Sequence, residues 1–318
     1  MEDLYSRKID YLRLSLTPRC NFKCFYCDSG SCEPLMRNEL SLKEAEVIVG
    51  AAAEIGCTKV RLTGGEPLIR RDIMEVCRMV KSVPHIKTLG ITTNGFYLAS
   101  AVEELKASGV DLVNISLDTV DPDVFRRVTG RDALDKVLSG IARAVQTGFS
   151  AVKINAVLLR GINDDGKAVA GLAALTERYP VDLRFIELMP AAVTGKDYLR
   201  SFVSRSAVFE ALPHLEKNGA GCDGEGVAEM YRLPRAPGRI GVISPMSSCF
   251  CHRCSRIRVL SDGSVRPCLL KNNEYSVKGL SFEDTVRVLR EAIRHKPQDY
   301  KDGSGATGNA GRMKRIGG

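Results

Sequence analysis

Between residues 9 and 189 the chain alternates two hydrophobic rhythms: short runs of period two, then longer stretches with apolar positions three and four apart. The first rhythm belongs to strands with distinct faces, the second to amphipathic helices. Predicted strands fall at 11–17, 59–63, 86–93, 111–118, 151–159 and 182–189. A first helix opens on the capping box Ser41-Leu42-Lys43-Glu44, runs through Ala45, Ile48, Val49 and Ala52, and stops at Gly56. Further helices are predicted near 71–81, 99–107, 121–128, 134–146 and 165–178. Repeated strand–helix units predict a parallel α/β sheet. A closed (β/α) barrel takes about eight units; six predict a partial, open (β/α)6 TIM-like barrel with a lateral mouth.

Side chains two apart on a strand share a face. Arg13, Ser15 and Thr17 therefore oppose Leu12, Leu14 and Leu16. Likewise Lys59, Arg61 and Thr63 oppose Val60 and Leu62, and Asn114, Ser116 and Asp118 oppose Ile115 and Leu117. On the fifth strand Lys153 and Asn155 oppose Val152 and Ile154. Helices cover the outside of such a barrel, so the polar faces point inward, where branched apolar residues are the rule. Buried cations are costly unless paired. Either a phosphate-bearing ligand fills the cavity, or these cations sit in solvent at strand ends or pair with Glu66 and Asp118.

Beyond residue 190 the pattern loosens into a Pro- and Gly-rich stretch with two extended runs, 227–233 and 239–243. A strand at 256–260, with Arg256 and Arg258 on one face, leads into an Asp262-Gly263 hairpin turn. An amphipathic helix follows at 282–295, with Ser281 as its N-cap. The expected organisation is a barrel at 1–190, a smaller C-terminal α+β domain at 191–298 covering the opening, and a glycine-rich tail at 299–318. By composition alone that tail is flexible and solvated.

Composition narrows the classes. The chain has 318 residues, 44% hydrophobic, and no apolar run approaches the roughly 18 residues of a membrane helix. Met1-Glu2-Asp3 does not begin a secretion signal. Eleven cysteines without an export signal point to a reducing, cytoplasmic setting and to metal or redox use. The net charge of +8 suits a small polyanion or simply a soluble basic surface.

The cysteines carry the chemistry. Cys20, Cys24 and Cys27 stand in the spacing C-x3-C-x2-C just after the first strand, with no fourth thiol at a fixed short interval. Structural zinc takes four protein ligands and an electron-carrying cubane takes four cysteines; three thiolates on a cubane leave one iron open. One strand further on, Gly64-Gly65-Glu66-Pro67 offers backbone to a ligand at close range. A second set, Cys251, Cys254 and Cys268, again counts three, with His252 and Cys249 as poorly placed fourth ligands for zinc.

Both cysteine sets, the GGEP tetrapeptide, the Arg256/Arg258 pair and the terminal Gly317-Gly318 together resemble the GTP 3′,8-cyclases, the molybdenum cofactor biosynthesis protein A family of radical S-adenosylmethionine (SAM) enzymes. The resemblance implies two [4Fe–4S] clusters, one on Cys20, Cys24 and Cys27 and one on Cys251, Cys254 and Cys268. It places Tyr26, Gly65, Ser116 and Met189 around SAM. It gives Arg13, Lys59, Arg61, Thr92, Lys153, Arg256 and Arg258 to GTP, and sends Gly317 and Gly318 into the active site as catalytic residues. Implied partners are GTP, a flavodoxin- or ferredoxin-like electron donor and the next enzyme of the pathway, with no nucleic acid and no membrane, for a monomer or homodimer. The chain departs from the family at Asp28-Ser29, where Met-Pro is usual. Cys32, Cys57, Cys77, Cys222 and Cys249 have no assigned role. The rivals are a radical SAM enzyme acting on a peptide and a non-catalytic iron–sulfur or zinc module.

Overall fold

Six parallel strands run in chain order through the middle of one sheet: β1 (Tyr11–Ser15), β2 (Lys59–Thr63), β3 (Thr88–Thr93), β4 (Leu112–Ser116), β5 (Ala151–Leu158) and β6 (Asp182–Glu187). They are joined by helices α1 (Leu42–Glu54), α2 (Ile73–Ser82), α3 (Leu98–Ala107), α4 (Pro122–Thr129), α5 (Leu134–Thr147) and α6 (Gly166–Arg178). The structure is a computed structural model that describes residues 1–27, 39–191, 193, 195–217 and 227–301. Several strands end earlier than the alternation predicts. Thr17, Asp118 and Met189 have left the ladder and belong to the loops that carry the candidate site.

The period-two reading places the faces correctly. Leu12, Leu14, Val60, Leu62, Ile115 and Ile154 are all buried in the main core. Each contributes roughly 2 kcal/mol of burial, and a one-residue slip would turn the cations into that core. Caps set the helix starts. The Ser41 hydroxyl accepts from the Glu44 N–H while the Glu44 carboxylate accepts from the Ser41 N–H. Asp121, Asp165 and Ser281 also accept from first-turn N–H groups of their helices.

The sheet continues past the six units. Strands β7 (Glu216–Lys217), β8 (Glu229–Arg232), β9 (Arg239–Ile243), β10 (Arg256–Val259), β11 (Ser264–Arg266) and β12 (Tyr275–Ser276) complete the order β12-β11-β10-β1-β2-β3-β4-β5-β6-β9-β8-β7. β10 pairs parallel to β1 and β9 parallel to β6. Eight neighbouring strands therefore run parallel, and two of them come from the C-terminal region. Neither β9 nor β10 follows a crossover helix, so the strand–helix count could not include them. Residues 244–255 join β9 to β10, passing from one edge of the parallel array to the other. Cys251 and Cys254 sit on that connection, and Cys268 follows β11. Two short helices, α7 (Gly195–Ser201) and α8 (Ser206–Ala211), precede β7. α7 has no buried residue, hence no apolar period to read. The last helix, α9 (Phe282–Arg294), packs on α1, with the Phe282 ring over Gly50.

Candidate active site

The first cysteine loop leaves the C-terminal end of β1 and is tied down by its neighbours. Lys23 N–H donates to the Thr129 carbonyl at 2.9 Å, and Cys27 N–H to the Cys24 carbonyl at 3.0 Å. The GGEP turn after β2 holds the start of this loop. Gly65 N–H donates to the Thr17 carbonyl at 2.6 Å, and Glu66 N–H to the Arg19 carbonyl at 2.8 Å. Those two N–H groups are thus committed to the cysteine loop and are not the ligand donors that the tetrapeptide suggests by itself. A Cβ on Gly65 would lie 2.6 Å from the Arg19 carbonyl carbon.

Glu66 and Asp118 do not pair with the inward cations. The Glu66 carboxylate is fully buried and accepts from Leu68 N–H, the Thr93 hydroxyl and Asn94 N–H. Burial pushes it up to about 7, against those donors. Asp118 accepts from the Tyr26 hydroxyl at 2.5 Å and from Val157 N–H at 2.8 Å. Burial raises it to about 6.

Beside this loop lies a small cavity lined by Cys24, Tyr26, Asn94, Ser116 and Asp118 among others. Burial, then the negative charges of Asp118, Cys27 and Cys20, push the Cys24 thiol well up. Three half-buried thiols that repel one another as thiolates fit a metal cluster, because coordination deprotonates a thiol outright.

A larger, open cavity occupies the barrel interior. Arg13, Lys59, Arg61 and Lys153 line it, as the inward alternation predicts, together with Arg256, Arg258, Cys251, Cys254 and Cys268. Pairing register explains the crowding: Arg13 stands opposite Arg61 on one side and Arg258 on the other. Among the described residues that line this cavity there is no Asp or Glu. Burial and then Arg258 bring the Arg13 guanidinium down to about 9. Arg61 Nη1, Asn114 Oδ1, Arg184 Nε and Arg258 Nε are buried without hydrogen-bond partners. Such orphans in a cation-lined cavity are what an anionic, hydrogen-bonding ligand would satisfy.

Thr92 lies on the same face, opposite Asn114, with its hydroxyl also unpartnered, but does not itself line the cavity. Tyr26 and Ser116 share the smaller cavity, whereas Met189 lines the larger one and Gly65 acts at the loop. Asp28, Ser29, Cys32, Cys222, Gly317 and Gly318 lie outside the described residues. Among the cavity residues left unassigned in the sequence are Tyr11, Arg184 and Lys296. For Arg184 the signal was present, since Asp182, Arg184 and Ile186 oppose Leu183 and Phe185 on β6.

The second thiol set also fits a cluster. Burial raises Cys254, but Lys296, Arg256 and Arg258 outweigh it and bring the thiol down to about 6, favouring the thiolate. Among the described residues no three His, Cys, Asp or Glu side chains are gathered to hold a single metal ion. A cube of four irons, being larger, takes thiolates set further apart.

A three-thiol loop on the first strand of an open parallel half-barrel defines the radical SAM class, and residues 14–173 match the family model of the radical SAM superfamily. Residues 181–302 match the model described as Molybdenum Cofactor Synthesis C. The structure resembles Streptococcus suis SuiB bound to precursor peptide SuiA, with TM-score 0.66 and 18% identity, covering 93% of this chain and 66% of that one. It also resembles native anSMEcpe with bound AdoMet, with TM-score 0.60 and 17% identity over 92% and 82% of the two chains. These likenesses establish the fold. A GTP 3′,8-cyclase from Alkaliphilus oremlandii is 41% identical, covering 100% of both chains. Another, from Peptoclostridium acidaminophilum, is 38% identical over 94% and 92% of the two. The chain belongs to the GTP 3′,8-cyclase family, whose members use SAM and two [4Fe–4S] clusters.

Proposed function

We propose that this chain performs its family's reaction, conversion of GTP to 3′,8-cyclo-7,8-dihydro-GTP at the start of molybdenum cofactor biosynthesis, with the following residues. The observation that carries the reading is the cationic cavity lined by the second thiol set, with no Asp or Glu among its described lining residues, on the same barrel that carries the first. Cys20, Cys24 and Cys27 would hold the first [4Fe–4S] cluster, and Cys251, Cys254 and Cys268 the second. Bound there, SAM and the first cluster would supply radical chemistry directed at C3′ of GTP.

The protein's part is placement and exclusion of water. Arg13, Lys59, Arg61, Lys153, Arg184, Arg256 and Arg258 bind the nucleotide and its triphosphate, and Thr92 and Asn114 hydrogen-bond to it. Strand β1 links the two ends: Tyr11 pairs with Arg256, two residues from Cys254, and the chain beyond Ser15 reaches Cys20. Four strand steps span about 13 Å, a nucleoside's length, so substrate and SAM meet along one strand. Tyr26, Ser116 and Gly65 form the wall on the SAM side, Tyr26 fixed by Asp118, and Met189 contributes from the larger cavity. Gly317 and Gly318 are assigned, by the family's double-glycine end, to assist catalysis. Residues 1–190 are the barrel, 191–298 the second-cluster unit and 299–318 the tail.

No helix among the described residues is long and apolar enough to cross a membrane, and nine described cysteines are free thiols. The free thiols fit action in a reducing cytoplasm, and the family reading adds a flavodoxin- or ferredoxin-like donor, a monomer or homodimer, and transfer of the product to the next enzyme of the pathway. Anaerobic incubation of the reconstituted protein with GTP, SAM and a reductant tests the reading. The cyclised nucleotide should form with one 5′-deoxyadenosine per product, and SAM cleavage that ignores GTP would overturn it.

A further inference from the structure

Lys296 is buried, on the segment just after α9, yet it lines the large cavity. Its ammonium donates to the Arg256 carbonyl at 2.8 Å and to the Pro267 carbonyl at 2.5 Å. Arg256 starts β10 two residues after Cys254, and Pro267 immediately precedes Cys268. The lysine thus clips together the two chain segments that carry these thiols. The segment is itself anchored. Arg7 donates to the carbonyls of Pro297, Gln298 and Cys251, while its Nε is held by buried Asp3.

A buried ammonium with carbonyl partners retains a cost that only a nearby negative charge offsets. The thiolates of Cys254 and Cys268 act in that direction on Lys296, against burial and the neighbouring Arg258 and Arg7. The first thiol loop has the opposite surroundings: the buried carboxylate of Asp118 faces Cys24.

We propose that Lys296 is a positioning residue that serves as the second cluster's counter-ion, making that cluster easier to reduce than the first and keeping it in place. Reduction adds one negative charge to a cluster, which a fixed cation beside it favours and a carboxylate opposes. The asymmetry orders the two centres: the strong reductant sits by Asp118, and the centre facing the nucleotide accepts and holds an electron more readily. This rests on the second thiol set holding a cluster.

The test is an anaerobic redox titration of the holoenzyme, followed by electron paramagnetic resonance and accompanied by an iron count. The wild-type chain should carry about eight irons and titrate in two steps, with the second cluster at the higher potential. Lys296→Met and Lys296→Gln should move that midpoint down while leaving the first in place, and Lys296→Arg should keep it near the wild-type value. Loss of the second cluster from both neutral variants but not from Lys296→Arg also supports the counter-ion role. An unmoved second midpoint, equal shifts of both midpoints, or loss of the cluster from the arginine variant as well would overturn it. Absence of a second cluster from the wild-type protein would instead overturn the functional reading beneath it.

Discussion

Tyr11 sets a phenol among the strand cations, between Lys59 and Arg256 in the register of its neighbours. The Arg61 Nε–H donates to its oxygen. Burial pushes the phenol up, but Arg61, Arg13 and Arg256 outweigh burial and bring it down to about 8. Below that pH the phenol is neutral and the cradle keeps its full positive charge; as pH rises through it, a phenolate cancels one charge and opposes the triphosphate. GTP affinity should therefore fall roughly tenfold between about pH 7 and 9, and Tyr11→Phe should flatten that slope in equilibrium binding. An unchanged slope in the variant would assign the titration to another group. Arg258→Ala removes a buried guanidinium and should weaken GTP binding on the order of 100-fold while uncoupled SAM cleavage persists. The reverse pattern, with cleavage lost and binding kept, would contradict the assignment. Arg258 was legible because alternation puts it on one face with Arg256, beside the second thiol set. Lys296 was not, because it belongs to no strand or helix and only the packed chain brings it to the cavity.

At the scale of elements, the βα loops act as a set. The GGEP turn holds the cysteine loop through the Thr17 and Arg19 carbonyls, and Glu66 ties that turn to Thr93 and Asn94 after β3. Asn94 in turn donates to Asn21 at 2.8 Å, within the cysteine loop. Gly65→Ala drives a methyl into the Arg19 backbone, where nothing flexible can give way. The expected result is loss of the first cluster, with bound iron falling from about eight to about four per chain while far-UV circular dichroism stays native. Full iron content in that variant would show that the turn does not govern the loop. The elements themselves were readable because caps and periods are local: Ser41 with Glu44 and Ser281 with Asp284 form as the spacing predicts. The use of the glycine N–H groups was not readable. Whether a backbone donor meets a ligand or a neighbouring loop depends on which loops share the same end of the barrel.

Over the whole molecule, the open barrel is bridged by the chain that follows β9, and the N-terminal segment secures that bridge. Arg7 reaches Cys251 across 244 positions of sequence and Gln298 across 291. Arg7→Ala would leave the buried Asp3 carboxylate without its guanidinium, though still with two backbone N–H donors, and release three carbonyls. Destabilisation by about 3 kcal/mol is expected in a denaturant titration, with the second cluster preferentially lost to a chelator. A variant as stable as wild type, with both clusters equally retained, would contradict the clamp. The amino-acid sequence alone determined the strand–helix units, the inward direction of the cations and the two sets of three thiols. Each is written in a spacing of a few residues, and local backbone geometry converts spacing into direction. Only the tertiary structure decided that β9 and β10 flank the six strands, that the second thiols face the cationic cavity, and that Arg7 and Lys296 hold them there. Those contacts join residues far apart in the chain, and nothing local encodes which distant carbonyl a buried cation will find when the core closes.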